Sequence, residues 1–319
     1  MNRAMNASAP TPLRAGTRGS PLALVQTRTF NRLLAAIPGA PPSVETIISV
    51  TGDAVLDRPL AEIGGKGLFA KEIHEALLDG RIDLAVHSLK DLETELPPGI
   101  VLACVLKRED PRDCLMLGKG CNPADDANPL ACLPHGALVG TSSVRRQAQL
   151  LHARPDLRVT NFRGNVQTRL RKLSEGECQA SLLALAGLNR LEMDIPAKLV
   201  LDPDVMVPSA AQGIVGVTAR ASDTALLELL AKMDDAEARV AATAERSLLG
   251  ELDGSCRTPI GGHAQRLSDG NIVLTGLVAR ADGSFLLKRS VTGAAADAAL
   301  IGKELGDSLR ADSPADLFA

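Results

Sequence analysis

The chain of 319 residues has no tryptophan and no tyrosine, and five phenylalanines make up its 2% aromatic content. A core with so few rings has to be built from Leu, Val, Ile and Ala. The shortage also argues against a nucleic-acid binder, which needs stacking aromatics and a basic surface. Here 35 Lys and Arg face 38 Asp and Glu, for a net charge of −3. No apolar run approaches the ~20 residues of a membrane span. The opening "MNRAMNASAPTPLRAG" lacks the apolar segment of a secretory signal and reads as a disordered tail of about ten residues. A cytoplasmic location is expected, with no nucleic-acid or membrane partner. Six cysteines (Cys104, Cys114, Cys121, Cys132, Cys178, Cys256) form no C-x-x-C pair, and no histidine pair completes a zinc pattern, so no metal is expected. Disulfides are not expected in a cytosolic chain. The "GGKG" segment is no phosphate-binding P-loop, because Leu60 and Gly67 stand where that pattern needs Gly and Ser or Thr. H-E-x-x-H and G-x-S-x-G are absent as well.

What is present is an alternation of elements. "SPLALVQTRTFNRLLAAI" has helical apolar spacing, "SVETIISV" reads as a strand, and "LFAKEIHEALLDG" is an amphipathic helix closed by Gly80. "IDLAVHSL" and "IVLACVL" read as buried strands, so a mostly parallel sheet flanked by helices is predicted. "KREDPRDCLMLGKGCNPADDANPL" reads as a domain crossing plus a surface loop. A second α/β segment follows: "ALVG" as strand, "SSVRRQAQLLHA" as helix, "LRVTNF" as strand, "VQTRLRKLSEG" as helix and "ASLLALAGL" as strand. From about residue 236 the texture changes to a long helix, "DAEARVAATAERSLLGEL", and short strands, "NIVLTGLVA" and "SFLLKRSV", around a "DG" turn. A last helix spans roughly 295 to 311. The predicted class is α/β, with two α/β domains around a cleft and a small α+β C-terminal domain.

The two α/β segments echo each other. "GTRGSPLALVQ" and "GTSSVRRQAQ" both place Gly-Thr and then Ser between a strand and a helix. Two ordinary N-caps account for this; so do two helix N-termini aimed at one anionic ligand. Cations collect at such strand and helix ends: Arg18, Lys66, Lys90, Arg145, Arg146, Arg163, Arg169 and Arg190. In an open α/β sheet, residues beyond the strand carboxyl ends face the ligand crevice. The ligand implied is small to medium and carries several carboxylates or phosphates, which guanidinium forks pair bidentately. Asp91, directly after Lys90, is either a turn cap or a carboxylate held charged in a cationic cleft, able to stabilise a substrate cation. Cys256, in "LDGSCRTPIGG", sits in a polar, glycine-rich turn beside Arg257, a context that favours thiolate and exposure.

Nine motifs in order resemble the porphobilinogen deaminase (hydroxymethylbilane synthase) family: "GTRGSPLALVQ", "IGGKGLFAKEI", "DLAVHSLKD", "REDPRD", "VGTSSVRRQAQL", "FRGNVQTRL", "LALAGLNRL", "AAQGIVGV" and "LDGSCRTPIGGHA". The resemblance runs from about residue 14 to residue 300. It implies two domains similar to periplasmic binding proteins, residues 11–106 with 214–231 and residues 112–207, and a third at 236–319 that carries the cofactor cysteine. It implies a transferase of porphyrin and haem biosynthesis. Four porphobilinogen molecules are joined head to tail with loss of ammonia, and water releases the linear hydroxymethylbilane. The chain grows on a dipyrromethane cofactor bound by a thioether, and Cys256 matches the anchoring cysteine. Arg18, Ser20, Lys66, Lys90, Thr141, Ser143, Arg145, Arg146, Arg163, Asn165, Arg169 and Arg190 match positions that bind the carboxylates of cofactor and substrate. Phe69 and Gln212 match positions lining the same cleft. Asp91 matches the catalytic aspartate, which holds pyrrole nitrogens and stabilises the azafulvene-like cation left when ammonia departs. A monomer is expected. Departures from the family pattern are Glu62 where lysine is frequent, Leu92-Glu93 for Val-Pro, Gln167 for glycine, and Ser255 for Gly or Asp. A non-catalytic anion-binding module would suit the cleft too, but leaves Cys256 and the third domain without a role.

Overall fold

The computed structural model describes residues 11–54, 67, 69–121, 128–195, 197–252 and 258–318; the opening tail, Lys66 and Cys256 lie outside them. The first sheet starts with Leu13–Thr17 (β1), which leads into Pro21–Ala35 (α1) and then Ser43–Ile47 (β2). The short Thr51–Ala54 (α2) and the amphipathic Lys71–Leu78 (α3) precede Leu84–Ser88 (β3) and Ile100–Val105 (β4). The second sheet takes Asp113–Leu117 (β5), Leu138–Gly140 (β6), Val144–Ala153 (α4), Arg158–Thr160 (β7), Val166–Glu175 (α5), Ala180–Ala184 (β8), Leu185–Arg190 (α6) and Lys198–Val200 (β9). The chain then returns to the first sheet as Val215–Arg220 (β10), followed by Thr224–Ala231 (α7). Ala236–Glu251 (α8) and Ala298–Ala311 (α9) pack on a third sheet of Ile260–Arg266 (β11), Asn271–Ala279 (β12) and Leu286–Ala294 (β13).

The two larger sheets repeat one topology. Their strand orders are β2-β1-β3-β10-β4 and β7-β6-β8-β5-β9. In each, the first three strands are parallel. The fourth is antiparallel to both neighbours. That fourth strand always follows a crossing between the sheets: β5 comes from the first sheet, β10 from the second. The expectation of mostly parallel sheets is therefore corrected to mixed sheets. An antiparallel strand runs toward its neighbours' amino ends, so its first residues lie beside their carboxyl ends. This brings Asp113 and the 211–214 turn to the edge where β3 and β8 deliver their loops.

Three local readings also change. "DCLML", read as part of a loop, is β5, a five-residue strand masked by the Pro, Asp and Gly around it. "ASLLALAGL" is not one strand, because it turns helical at Leu185 and so carries Arg190 on the last turn of α6. Ile260–Arg266 is a strand that the glycine pair hid. Glycine is required at 261, where a Cβ would lie 2.9 Å from the Val207 side chain.

The core is aliphatic, as the composition demands. Phe30 and Leu34 of α1 pack with Leu84, Val86 and Val217 in the first sheet. Phe162 is the one large ring under the second sheet, and it lies so close to Gly140 that a Cβ there would meet it at 2.6 Å. No helix among the described residues is long and apolar enough to cross a membrane.

Candidate active site

The two echoing segments form matched strand-to-helix turns. Ser20 caps α1, its hydroxyl accepting from the Ala23 amide, and Ser143 caps α4 in the same way from the Arg146 amide. Asn165 caps α5 by accepting from the Thr168 amide at 2.8 Å. The capping account therefore holds, and the helices also open toward one space. A cleft of about 1050 Å³ lies between the two large sheets. From the first-sheet side Arg18, Ser20, Phe69, His87, Lys90 and Asp91 line it; from the second, Arg146, Arg163, Asn165, Arg169 and Lys172.

Charge is strongly one-sided here. Among the described residues six cations line the cleft, and Asp91 is the one carboxylate. Asp91 ends the short 3-10 turn Leu89–Asp91 that follows β3. Its Oδ2 lies 3.6 Å from Arg18 Nη1, and both side chains are part-exposed. The Arg18 guanidinium also stacks over the Phe69 ring at 4.2 Å, which fixes its plane. Arg169 donates through Nε to the Gly164 carbonyl at 2.9 Å.

Five of the expected residues sit behind this surface. Thr141, Arg145 and Gln212 are buried, Ser143 is used as the cap of α4, and Arg190 donates to the Gly213 carbonyl at 2.7 Å. Beneath them lies Asp113, the first residue of β5, which sequence reasoning passed over. Its carboxylate is fully buried and accepts from Arg145, Arg146 and Gln212 at 2.7, 2.7 and 2.8 Å. Arg145 is committed further, to the Val207 carbonyl. Arg146 donates to the Leu182 carbonyl at 2.9 Å, while its Nε is buried with no partner. Gln212 completes the relay by accepting from Lys90 Nζ at 3.2 Å. Arg112-Asp113 and the pair Arg145-Arg146 lie far apart in the sequence, and only the antiparallel return of β5 brings Asp113 under the arginines.

The electrostatics follow from this packing. Burial alone would raise the Asp113 carboxyl, but Arg145, Arg146 and the hydrogen bonds hold it well below the usual carboxylate range. Burial pushes the Lys90 ammonium down to about 8, with Asp91 opposing and Arg146 adding to the depression. Burial, then Arg146 and Arg163, lower the Arg169 guanidinium to about 10. His87 is driven to about 3 by burial and then by His74 and Arg18, so it stays neutral. Burial first and neighbouring cations second thus disfavour the charged forms of Lys90 and Arg169, and a nearby anion would favour them.

One consequence is a pH dependence. A carboxylate on Lys90 favours the ammonium, so binding raises its pKa and draws in a proton above pH 8. The affinity of the unloaded cleft for a carboxylate ligand should therefore fall as pH rises through about 8. Lys90→Met should be weaker at neutral pH and flat across that range. A wild-type profile with no inflection between pH 7 and 9 would remove Lys90 from carboxylate binding.

Residues 13–228 match the family described as "Porphobilinogen deaminase, dipyromethane cofactor binding domain", and residues 239–311 match "Porphobilinogen deaminase, C-terminal domain". A chloroplastic porphobilinogen deaminase of Oryza sativa subsp. japonica is 49% identical over 312 residues, covering 96% of this chain and 85% of the relative. A porphobilinogen deaminase of Paracoccus denitrificans is 48% identical over 309 residues, covering 96% of each. The chloroplastic protein of Pisum sativum is 50% identical over 306 residues, covering 93% of this chain and 80% of the relative. With two matched regions in order and this identity across nearly the whole length, the chain belongs to the porphobilinogen deaminase family.

Proposed function

We propose that this cleft binds a dipyrromethane cofactor, tethered by a thioether to Cys256, and that Asp91 is the catalytic carboxylate for adding porphobilinogen units to it. The observation that carries the reading is that, among the described residues, one carboxylate stands with six cations in a cleft of about 1050 Å³. A dipyrromethane of this kind bears two acetates and two propionates, so it needs several cations and little apolar wall. The residues fit it: Arg146 holds a buried Nε without a partner at the cleft wall. When bound, the cofactor would supply the free pyrrole carbon to which the first new unit is joined.

The chain's own groups then divide the work. Arg146, Lys90 and Ser20 lie where cofactor carboxylates can be met, with Arg145, Thr141, Ser143 and Gln212 holding that wall rather than facing the ligand. Arg18, Arg163 and Arg169 surround Asp91 and receive the carboxylates of incoming substrate. Asp91 accepts hydrogen bonds from pyrrole N–H groups and offers charge to the cation that forms as ammonia leaves. Arg18, 3.6 Å from Asp91, orients that carboxylate before substrate arrives. The buried Asp113 offsets two guanidiniums, so the cleft carries its charge without forcing Arg145 and Arg146 apart. Lys66, outside the described residues, is assigned to substrate carboxylate binding on the resemblance alone.

The direct test is incubation of the purified protein with porphobilinogen. Ammonia should be released in a ratio of four per linear tetrapyrrole formed. Binding of porphobilinogen without ammonia release would identify an anion-binding module instead.

A further inference from the structure

Asp91 is held from outside its own domain. The segment after it, Leu92-Glu93-Thr94, belongs to no helix or strand. Its first proline comes at Pro97, and the Leu92 amide ties its first residue to the Leu89 carbonyl at 3.2 Å, while its three carbonyls are held from elsewhere. What holds the segment is Arg246, on α8 of the third domain. Its guanidinium donates to the Leu92 and Thr94 carbonyls at 3.1 Å each and to the Glu93 carbonyl between them. Three successive carbonyls on one planar fork leave the turn little freedom. The apolar side of the turn is secured from the same helix, because Leu89 and Leu92 are buried in one core cluster with Ala238, Ala241 and Leu248.

The neighbouring residue of α8 holds the other side of the site. Glu245, about 100° around the helix from Arg246, is fully buried and pairs with Arg108 at 2.7 Å. It also accepts from the Ala211 amide at 2.6 Å and the Ala264 amide at 2.7 Å. Ala211 has a φ of 60°, a strained value for a residue with a Cβ, and this contact pins it. The same turn carries Gln212, the partner of Lys90. Two adjacent side chains of one helix thus fix the Asp91 turn and the Gln212 turn, and that helix ends at Glu251, just before the segment bearing Cys256.

We propose that Arg246 is a positioning residue for Asp91: it acts through three backbone carbonyls to set the carboxylate against the tethered chain. The proposal rests on the assignment of Asp91 as the catalytic carboxylate. Displacing a reacting group by about 1 Å can cost a factor of roughly 100 in rate. Arg246→Gln, assayed as adduct-loaded full-length enzyme, should therefore lose roughly ten- to a hundredfold in kcat while KM and adduct mass stay unchanged. Arg246→Lys should recover part of the loss, since one ammonium cannot bridge three carbonyls as a fork does. Arg239→Gln is the control. Arg239 lies on the same helix but binds Asp234 and the Leu102 and Ala103 carbonyls, away from the Asp91 turn. It should lower the melting temperature without lowering kcat.

The deciding measurement is a double-mutant cycle in single-turnover elongation. If Arg246 acts through Asp91, Arg246→Gln costs little further rate in an Asp91→Asn background. Equal losses in both backgrounds, unchanged kcat in Arg246→Gln, or an equal kcat loss in Arg239→Gln would each overturn the proposal. The Asp91→Asn single variant separately reports whether the underlying assignment fails.

Discussion

Cys256→Ala will be isolated at its sequence mass and will not turn over, whereas the wild-type chain will weigh more by one dipyrromethane unit. The chemistry supports this cysteine over the other five. Burial raises the thiols of Cys104 and Cys114 to about 12. It raises those of Cys121, Cys132 and Cys178 too. A thiol so far above neutral pH has almost no thiolate with which to form a carbon–sulfur bond. Cys104 and Cys114 are moreover fully enclosed in β4 and β5, with no room for a pyrrole. Cys256 stands in the sequence Gly-Ser-Cys-Arg, with a small residue on one side and a cation on the other. Intact-mass measurement of the two proteins decides the matter. An adduct that survives in Cys256→Ala, or a wild type at bare sequence mass, would defeat the assignment.

How much of this was legible before the structure depends on how local each signal was. The cleft-facing set Arg18, Lys90, Asp91, Arg146, Arg163 and Arg169 could be found because each follows a strand or opens a helix, and in an α/β unit that location is the ligand edge. The Ser20 and Ser143 caps were equally local. Asp113 was not legible, since its importance comes from a strand that runs against its neighbours and reaches Arg145 and Arg146 across 32 and 33 residues. The pairing of Arg145 was hidden for the same reason: a cation in the first turn of a helix gives no sign in the sequence of the buried carboxylate that neutralises it. Gln212 was found by motif, yet its geometry is that of a link between Lys90 and Asp113 rather than a wall of the cleft. Arg246 gave no signal at all, because its partners are backbone carbonyls about 150 residues earlier. Side chains that serve another segment's backbone leave no pattern of residue types to read.

Asp91→Asn should keep the fold and the adduct but lose about three decades in the elongation step. The carboxylate is part-exposed and faces solvent-filled space, so an effective dielectric of about 20 suits it better than that of a dry interior. A unit charge about 4 Å from a developing cation then contributes roughly 4 kcal/mol, and each 1.36 kcal/mol is about one decade in rate. Asparagine preserves the shape and one acceptor oxygen, so the hydrogen bond to a pyrrole N–H survives in part while the charge does not. Substrate affinity should change in the opposite sense. Arg18, now 3.6 Å from a carboxylate that competes for it, would be released to bind the acetate and propionate of the incoming pyrrole. The expected signature is therefore a large fall in kcat with KM unchanged or lower. The measurement is single-turnover elongation at saturating porphobilinogen, on protein whose adduct has been verified by mass. Elongation within a few-fold of wild type would mean that Asp91 only caps its turn and that the cation is stabilised elsewhere.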